Sequence, residues 1–135
     1  MPNYNHAPYL KERMESILAQ DYPDFEVILL DDASTDESLS VLKSYENHPK
    51  VVRLIANETN SGNTFLQWKR GLEMAKGDYV WIAESDDVAE PSLLSRLVAE
   101  IEQKDATLAF CHSLWIDSDG KPIARTVDPR WKRDF

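Results

Sequence analysis

Twice in this chain a short apolar run stops abruptly on a pair of aspartates. Phe25-Glu26-Val27-Ile28-Leu29-Leu30 ends at Asp31-Asp32, and Tyr79-Val80-Trp81-Ile82-Ala83 ends at Glu84-Ser85-Asp86-Asp87. Near-continuous apolar runs of this length read as strands buried on both faces, as in a parallel sheet covered by helices. Helix-period segments lie around them. Leu10, Met14, Ile17 and Leu18 share one face of a first helix, which Asn5 is expected to cap, with Pro8 tolerated in the opening turn. Ser34-Thr35-Asp36-Glu37 has the pattern of a capping box, opening a second helix with Leu39, Leu42 and Tyr45 inward. A third helix is expected from Thr64 to Ala75, stopped by Lys76-Gly77 with the glycine at C′. A fourth starts at Pro91 and carries Leu94, Leu97, Val98 and Ile101 on its apolar face. The stretches 51–56 and 107–116 read as further strands, and Asp117-Ser118-Asp119-Gly120 as a hairpin turn before Pro122-Ile123.

Alternating helices and buried strands imply an α/β layered fold with a mainly parallel sheet. Ligands of such sheets bind beyond the carboxyl ends of the strands, where both acidic clusters fall. Gathered carboxylates repel each other, and they persist together when a cation or hydrogen-bond donors offset the cost. Mg²⁺ or Mn²⁺ suits one or two carboxylates completed by water and substrate phosphates. The simpler alternative is that each aspartate caps the helix that follows it. Two such pairs in one domain favour a ligand site.

The composition narrows the classes. The 135 residues suffice for one core and are too few for two domains, and 42% aliphatic, aromatic and sulphur residues is too apolar for a disordered chain. Twenty-four acidic against fifteen basic side chains give a net charge of −9, which repels a polyphosphate backbone and speaks against nucleic acid. An acidic protein still binds an anion when a divalent cation lies between them. The single cysteine, Cys111, excludes an internal disulfide framework and a thiolate zinc cluster. With no signal-peptide pattern after Met1 and no apolar run near the roughly 18 residues of a membrane span, the expected location is cytoplasmic.

Pro2-Asn3-Tyr4-Asn5, Leu-Asp-Asp-Ala-Ser-Thr-Asp (30–36), Ala-Lys-Gly-Asp-Tyr (75–79) and Glu-Ser-Asp-Asp (84–87) together resemble the family 2 glycosyltransferases of the GT-A fold, across essentially the whole chain and in order. The resemblance implies a Rossmann-like three-layer sandwich and a nucleotide-sugar donor, a UDP-sugar foremost. By matching position, Tyr4 lies against the nucleobase and Asp32 accepts a base N–H, with Asp31 beside it as a further nucleotide-binding residue. Asp86 and Asp87 match the DxD-type element, in which the first holds the ribose and the second the metal, Mn²⁺ or Mg²⁺, which bridges the diphosphate.

Some positions depart from the family pattern. Glu84 stands where many members have Asp, and Trp68-Lys69-Arg70-Gly71 replaces an Arg-Asn pair before the glycine. Lys69 is the candidate phosphate contact. Arg70 is its competitor, since on a helix the two point about 100° apart and one of them faces the site; a solvated helix face is the bland alternative. The resemblance also implies a first strand before Pro2 and an acceptor-binding half after Phe135. Residues 1–135 therefore read as a truncated donor-binding domain, inactive alone, with an open sheet edge through which two copies could pair. The catalytic base of inverting members is expected beyond the C-terminus, because Asp117, Asp119, Asp128 and Asp134 match no family base motif. The acceptor, whether glycan, lipid or protein, is unspecified, and a longer form could sit peripherally at a membrane.

Other residues carry weaker signals. His6, His48 and His112 lack metal-ligand spacing, Trp81 and Trp115 read as core, and Arg130-Trp131-Lys132-Arg133 reads as a frayed tail. Two rivals stand beside the transferase. One is a receiver-like Mg²⁺-binding signalling domain, although Asp78, the nearest phosphorylatable candidate, opens its strand where a receiver needs one that closes it. The other is a non-catalytic nucleotide-sugar binding module.

Overall fold

The computed structural model describes residues 1–123. In chain order its elements are β1 (Pro2–Asn3), α1 (Ala7–Leu18), β2 (Val27–Asp31), α2 (Ser38–Ser44), β3 (Val51–Ala56), α3 (Thr64–Met74) and α4 (Leu93–Lys104). The strands form one parallel sheet in the order β1-β2-β3. β2 is buried along its whole length, which is why its sequence is apolar on both alternating faces. On one face Leu29 joins Leu10 and Met14 of α1 and Leu42 of α2 in the main core. On the other, Leu30 meets α3, where a Cβ on Gly71 would lie 3.4 Å from Leu30 Cδ1. Helices thus cover both faces, and the three expected layers are present.

The first strand is short. Pro2 and Asn3 pair with Leu30 and Asp31, and the Met1 amine donates to Ile28 O at 2.7 Å. Burial, aided by the nearby charge of Arg13, lowers the pKa of that amine to about 5. Beyond this contact the edge of β2 opens on a cleft of about 730 Å³, lined among others by Ile28, Tyr79, Trp81, Leu97 and Ile101.

That opening explains one difference from expectation. Residues 79–83 form no strand, although Ala83 is buried and Trp81 packs on the core. A strand needs a neighbouring ladder of N–H and C=O groups, and a two-residue β1 supplies none to it. Similarly, 107–116 forms no extended strand. A single antiparallel bridge joins Ile116 to Pro122 around the expected turn, with Gly120 at φ 75°. Trp115, expected in the core, is 65% exposed, its carbonyl accepting from Ile123 N at 2.8 Å beside that bridge.

Helix ends differ as well. His6, not Asn5, precedes α1, because Asn5 takes a left-handed conformation at φ 56° and spends its side chain elsewhere. The capping box does not form. α2 begins at Ser38, whose N–H is received by Asp36 Oδ1 at 2.9 Å, while Ser34 is held by Asp31. α3 ends at Met74 with Ala75 extended, so Gly77 is not its left-handed terminator. α4 starts two residues after Pro91 and is docked on the end of α1 by Gln20, which donates to Glu90 O and accepts from Leu94 N.

Candidate functional site

Asp31 ends β2, Asp32 follows it, and the two point to different tasks. Asp31 is 1% exposed and binds the chain to itself: Oδ1 accepts from Asn3 Nδ2 at 2.8 Å and Ser34 Oγ at 2.6 Å, and Oδ2 from Ser34 N at 3.0 Å. Asn5 completes the stitch between the segment after β1 and the loop after β2. Its Oδ1 accepts from Thr35 N at 2.7 Å and Asp36 N at 3.3 Å. Asparagine tolerates the left-handed backbone this requires better than most residues. Tyr4, between them, is 45% exposed.

Asp32 is surrounded by a different set of groups, from the loop 57–63 and from α3. Its Oδ1 accepts from Asn57 Nδ2 at 2.6 Å, Gln67 Nε2 at 2.9 Å and Ser61 N at 3.0 Å, and its Oδ2 from Ser61 Oγ at 2.6 Å. Asn60 Nδ2 adds a bond to the Asp32 carbonyl at 2.9 Å. Burial works against ionisation here, but the hydrogen bonds from Ser61 and Asn57 and the charge of Arg70 outweigh it, and the carboxyl is held below its ordinary range. Arg70 braces the network by donating to Asn57 Oδ1. Lys69 lies apart, on the exposed face of α3 with Glu73 at 3.7 Å. Of the two cations weighed from the sequence, Arg70 is the one joined to the acid site.

The second acidic cluster is tied to the first by α3. Trp68 Nε1 donates to Glu84 Oε1 at 2.8 Å, and His6 Nδ1 lies 2.7 Å from Ser85 Oγ. Glu84 is therefore engaged by the protein. Asp86 and Asp87 are exposed, with no hydrogen bond or salt bridge among the described residues, and they line a recess of about 200 Å³ with Tyr9, Glu12 and Asp117. Arg13 of α1 is buried beneath, its guanidinium carbon 4.8 Å from the Trp81 ring centre, and its Nε and Nη1 have no partner among the described residues. Burial lowers the Arg13 pKa, while Asp87, Asp86 and Glu84 act to raise it. Its charge faces the acidic turn from below.

Several of these residues were not singled out from the sequence. Arg13 carried a signal, standing three residues after Leu10 on an otherwise apolar helix face. Asn57, Ser61 and Gln67 carried little, because polar side chains in a loop and on a helix are common. Among the other candidates, Asp117 and Asp119 belong to the exposed turn. Asp128, Asp134 and the basic tail 130–133 lie outside the described residues.

Residues 1–135 match the family model described as glycosyl transferase family 2. The chain belongs to that family. Glycosyltransferase GlyG of Streptococcus pneumoniae is 36% identical over 110 residues, covering 82% of this chain and 36% of GlyG. The poly(ribitol-phosphate) beta-N-acetylglucosaminyltransferase TarS of Staphylococcus aureus is 32% identical over 126 residues, covering 90% of this chain and 22% of TarS. A crystal structure of TarS 1–349 in complex with UDP matches with TM-score 0.69 at 34% identity, over 76% of this chain and 30% of that one. A complex with UDP-GlcNAc matches equally, also at 0.69. The GT-A architecture and the family expectation hold, and the receiver alternative falls. The chain spans about a third of GlyG and less than a quarter of TarS. Among the described residues no helix is long and apolar enough to cross a membrane.

Proposed function

We propose that this chain is the donor-binding portion of a glycosyltransferase that takes a nucleotide-diphosphate sugar, a UDP-sugar foremost, for transfer to an acceptor. The observation that carries this reading is the joining of the two acid sites. Asp32 with its donors and the turn bearing Asp86 and Asp87 are linked through α3 by the Trp68–Glu84 bond. The UDP and UDP-GlcNAc complexes of TarS support a uridine donor.

In this reading Tyr4 lies against the base, Asp32 accepts a base N–H, Asp86 holds the ribose and Asp87 the metal. The residues present fit Mn²⁺ or Mg²⁺. Asp87 is an exposed carboxylate without a partner among the described residues, a hard-oxygen donor with the equally open Asp86 beside it, and no cluster of three or more ligands exists among those residues, so the remaining positions are left for phosphate oxygens and water. When bound, the metal supplies Lewis-acid stabilisation of the departing diphosphate. Asp31 keeps the loop after β2 in register, and Arg70 serves the base end through Asn57. Lys69 meets phosphate only by leaving Glu73, at little cost for so exposed a pair.

The acceptor half and the catalytic base of an inverting transfer belong, in this proposal, to the part of such enzymes that the chain does not span. The chain alone binds donor without transferring it, and its acceptor is a glycan, lipid or protein. The open edge of β2 is where a second copy would pair, and the site works on the cytoplasmic side, peripheral to a membrane in a longer form. Calorimetric titration with UDP in the presence and absence of Mn²⁺ tests the donor site. Metal-dependent binding is expected, abolished in Asp87→Ala and weakened in Asp32→Ala. Equal affinity without metal, or no binding of any nucleotide at millimolar concentration, overturns the proposal.

A further inference from the structure

The turn that carries Asp86 and Asp87 is not held by the sheet. Residues 79–87 belong to no strand, and the turn is centred on Ser85 and Asp86. Among the described residues, side-chain hydrogen bonds reach it at two adjacent positions, Glu84 from Trp68 of α3 and Ser85 from His6. Ser85 is 2% exposed, and its Oγ lies 2.7 Å from His6 Nδ1 across 79 positions of chain.

Helix capping does not account for a histidine here. Serine, threonine, aspartate and asparagine suit the position before a helix, and the His6 side chain makes no bond to the first turn of α1. Asp36 Oδ2 takes that part instead, accepting from Ala7 N at 3.0 Å. The ring is held on a second side by Tyr9, edge-on at 6.1 Å between ring centres, and Tyr9 lines the recess with Asp86 and Asp87. The main chain is pinned as well. His6 N donates to the buried Ser38 Oγ at 3.1 Å, and Asn5 N to Ser34 Oγ at 3.0 Å.

Three consecutive residues thus meet three parts of the site. Tyr4 stands at the proposed base seat, Asn5 binds the loop after β2, and His6 binds the acidic turn. Building on the donor-site proposal above, we infer that His6 is a positioning residue that, through Ser85, fixes the Asp86–Asp87 turn at the distance from Tyr4 that one nucleoside diphosphate spans. A diphosphate has a set reach, so a turn displaced by about 1 Å loses its share of the ligand while the base seat keeps its own.

The test compares UDP with uridine by calorimetry, both in saturating Mn²⁺. Uridine reads the base seat alone, and the UDP-to-uridine affinity ratio reads how well the turn meets the diphosphate. In His6→Ala the ratio should fall about fivefold, as for one neutral hydrogen bond, with uridine affinity unchanged. In His6→Asn it should return, because an amide atom takes the place of Nδ1 and serves Ser85 as donor or acceptor. A role in stability alone would lower the melting temperature without moving the ratio. Ser85→Ala removes the same bond from its other side, and decides the matter if a thermal melt shows His6→Ala unfolded. The two substitutions together should lower the ratio no further than either alone. An unchanged ratio in folded His6→Ala or Ser85→Ala overturns the positioning role while leaving the donor site standing. Failure of the unaltered protein to bind UDP overturns the donor site itself.

Discussion

Trp68 donates its indole N–H to Glu84 Oε1 at 2.8 Å, joining the helix that surrounds Asp32 to the turn that bears Asp86 and Asp87. The longer glutamate reaches an indole, and the two aspartates beside it stay open.

Trp68→Phe keeps most of the ring and removes only the donor. A hydrogen bond to a charged group contributes about 1.5–3 kcal/mol when its loss leaves the partner unsatisfied. Glu84 is only partly buried, so the lower end is expected in urea unfolding. A double-mutant cycle with Glu84→Gln should show coupling of about 1 kcal/mol, and Trp68→Phe should weaken metal-dependent UDP binding more than metal-free binding. Additive effects of the two substitutions would show that the bond does not connect the sites.

Arg13 is buried with unpartnered donors, and its charge opposes a cation at Asp86 and Asp87. Replacing an imperfectly paired buried charge by an apolar group of similar volume is often neutral or stabilising by about 1–4 kcal/mol. Arg13→Met should therefore melt no lower than the unaltered protein. Mn²⁺ should also bind the variant more tightly in the absence of nucleotide, a rise that a metal titration followed by electron spin resonance would detect. A lowered melting point together with unchanged Mn²⁺ affinity would show that Arg13 acts by packing on Trp81 instead.

The Asp32 carboxyl is held below its ordinary range in the folded protein. The unfolded chain thus takes up its proton first as pH falls. The stability this group contributes is fully present above the unfolded value, about 4, and is lost as pH drops through the folded one. Urea unfolding between pH 7 and pH 3 should show an acid limb, and Asp32→Asn should flatten it while lowering stability at neutral pH. An acid limb of equal slope in the variant would assign the effect to other carboxylates, among them Asp36, which its hydrogen bonds to Ser38 and Ala7 also hold low against burial.

Gly62 turns the loop at φ 66° with open space where a Cβ would be, and its N–H donates to Asn60 Oδ1 at 2.7 Å. Alanine there meets no neighbour and suffers only the backbone penalty, about 1–2 kcal/mol for an L-residue in the left-handed region. Gly62→Ala should lower stability by that amount. Because Ser61 precedes it and supplies two of the Asp32 donors, UDP binding should weaken in parallel. A melting point unchanged by the substitution would show that the loop relaxes freely.

The central strand was legible in the sequence because it is a local pattern: residues 27–30 are apolar on both faces and buried on both. The helices at Ala7–Leu18, Thr64–Met74 and Leu93–Lys104 were legible for the same reason, since one apolar face recurs every three to four residues. The same kind of pattern predicted a strand at 79–83, which does not form, because hydrogen-bond pairing depends on a neighbour and periodicity does not report one. The ends of α1 and α2 were misplaced where side chains able to cap found longer-range partners, Asn5 across to Thr35 and Ser34 back to Asp31.

The central strand with Asp31-Asp32 at its end, the amphipathic helices and the family were determined by the sequence alone, through patterns that span a few residues each. What each acid does was decided only by the tertiary structure. Asp31 and Asp32 are adjacent in the chain and chemically identical. One is closed on Asn3 and Ser34, while the other meets the loop 57–63 and α3 and keeps one lone pair. A carboxylate takes its function from the donors that reach it, and those donors come from residues 25 to 35 positions away, brought there by the packing of α3 and the 57–63 loop over the end of β2.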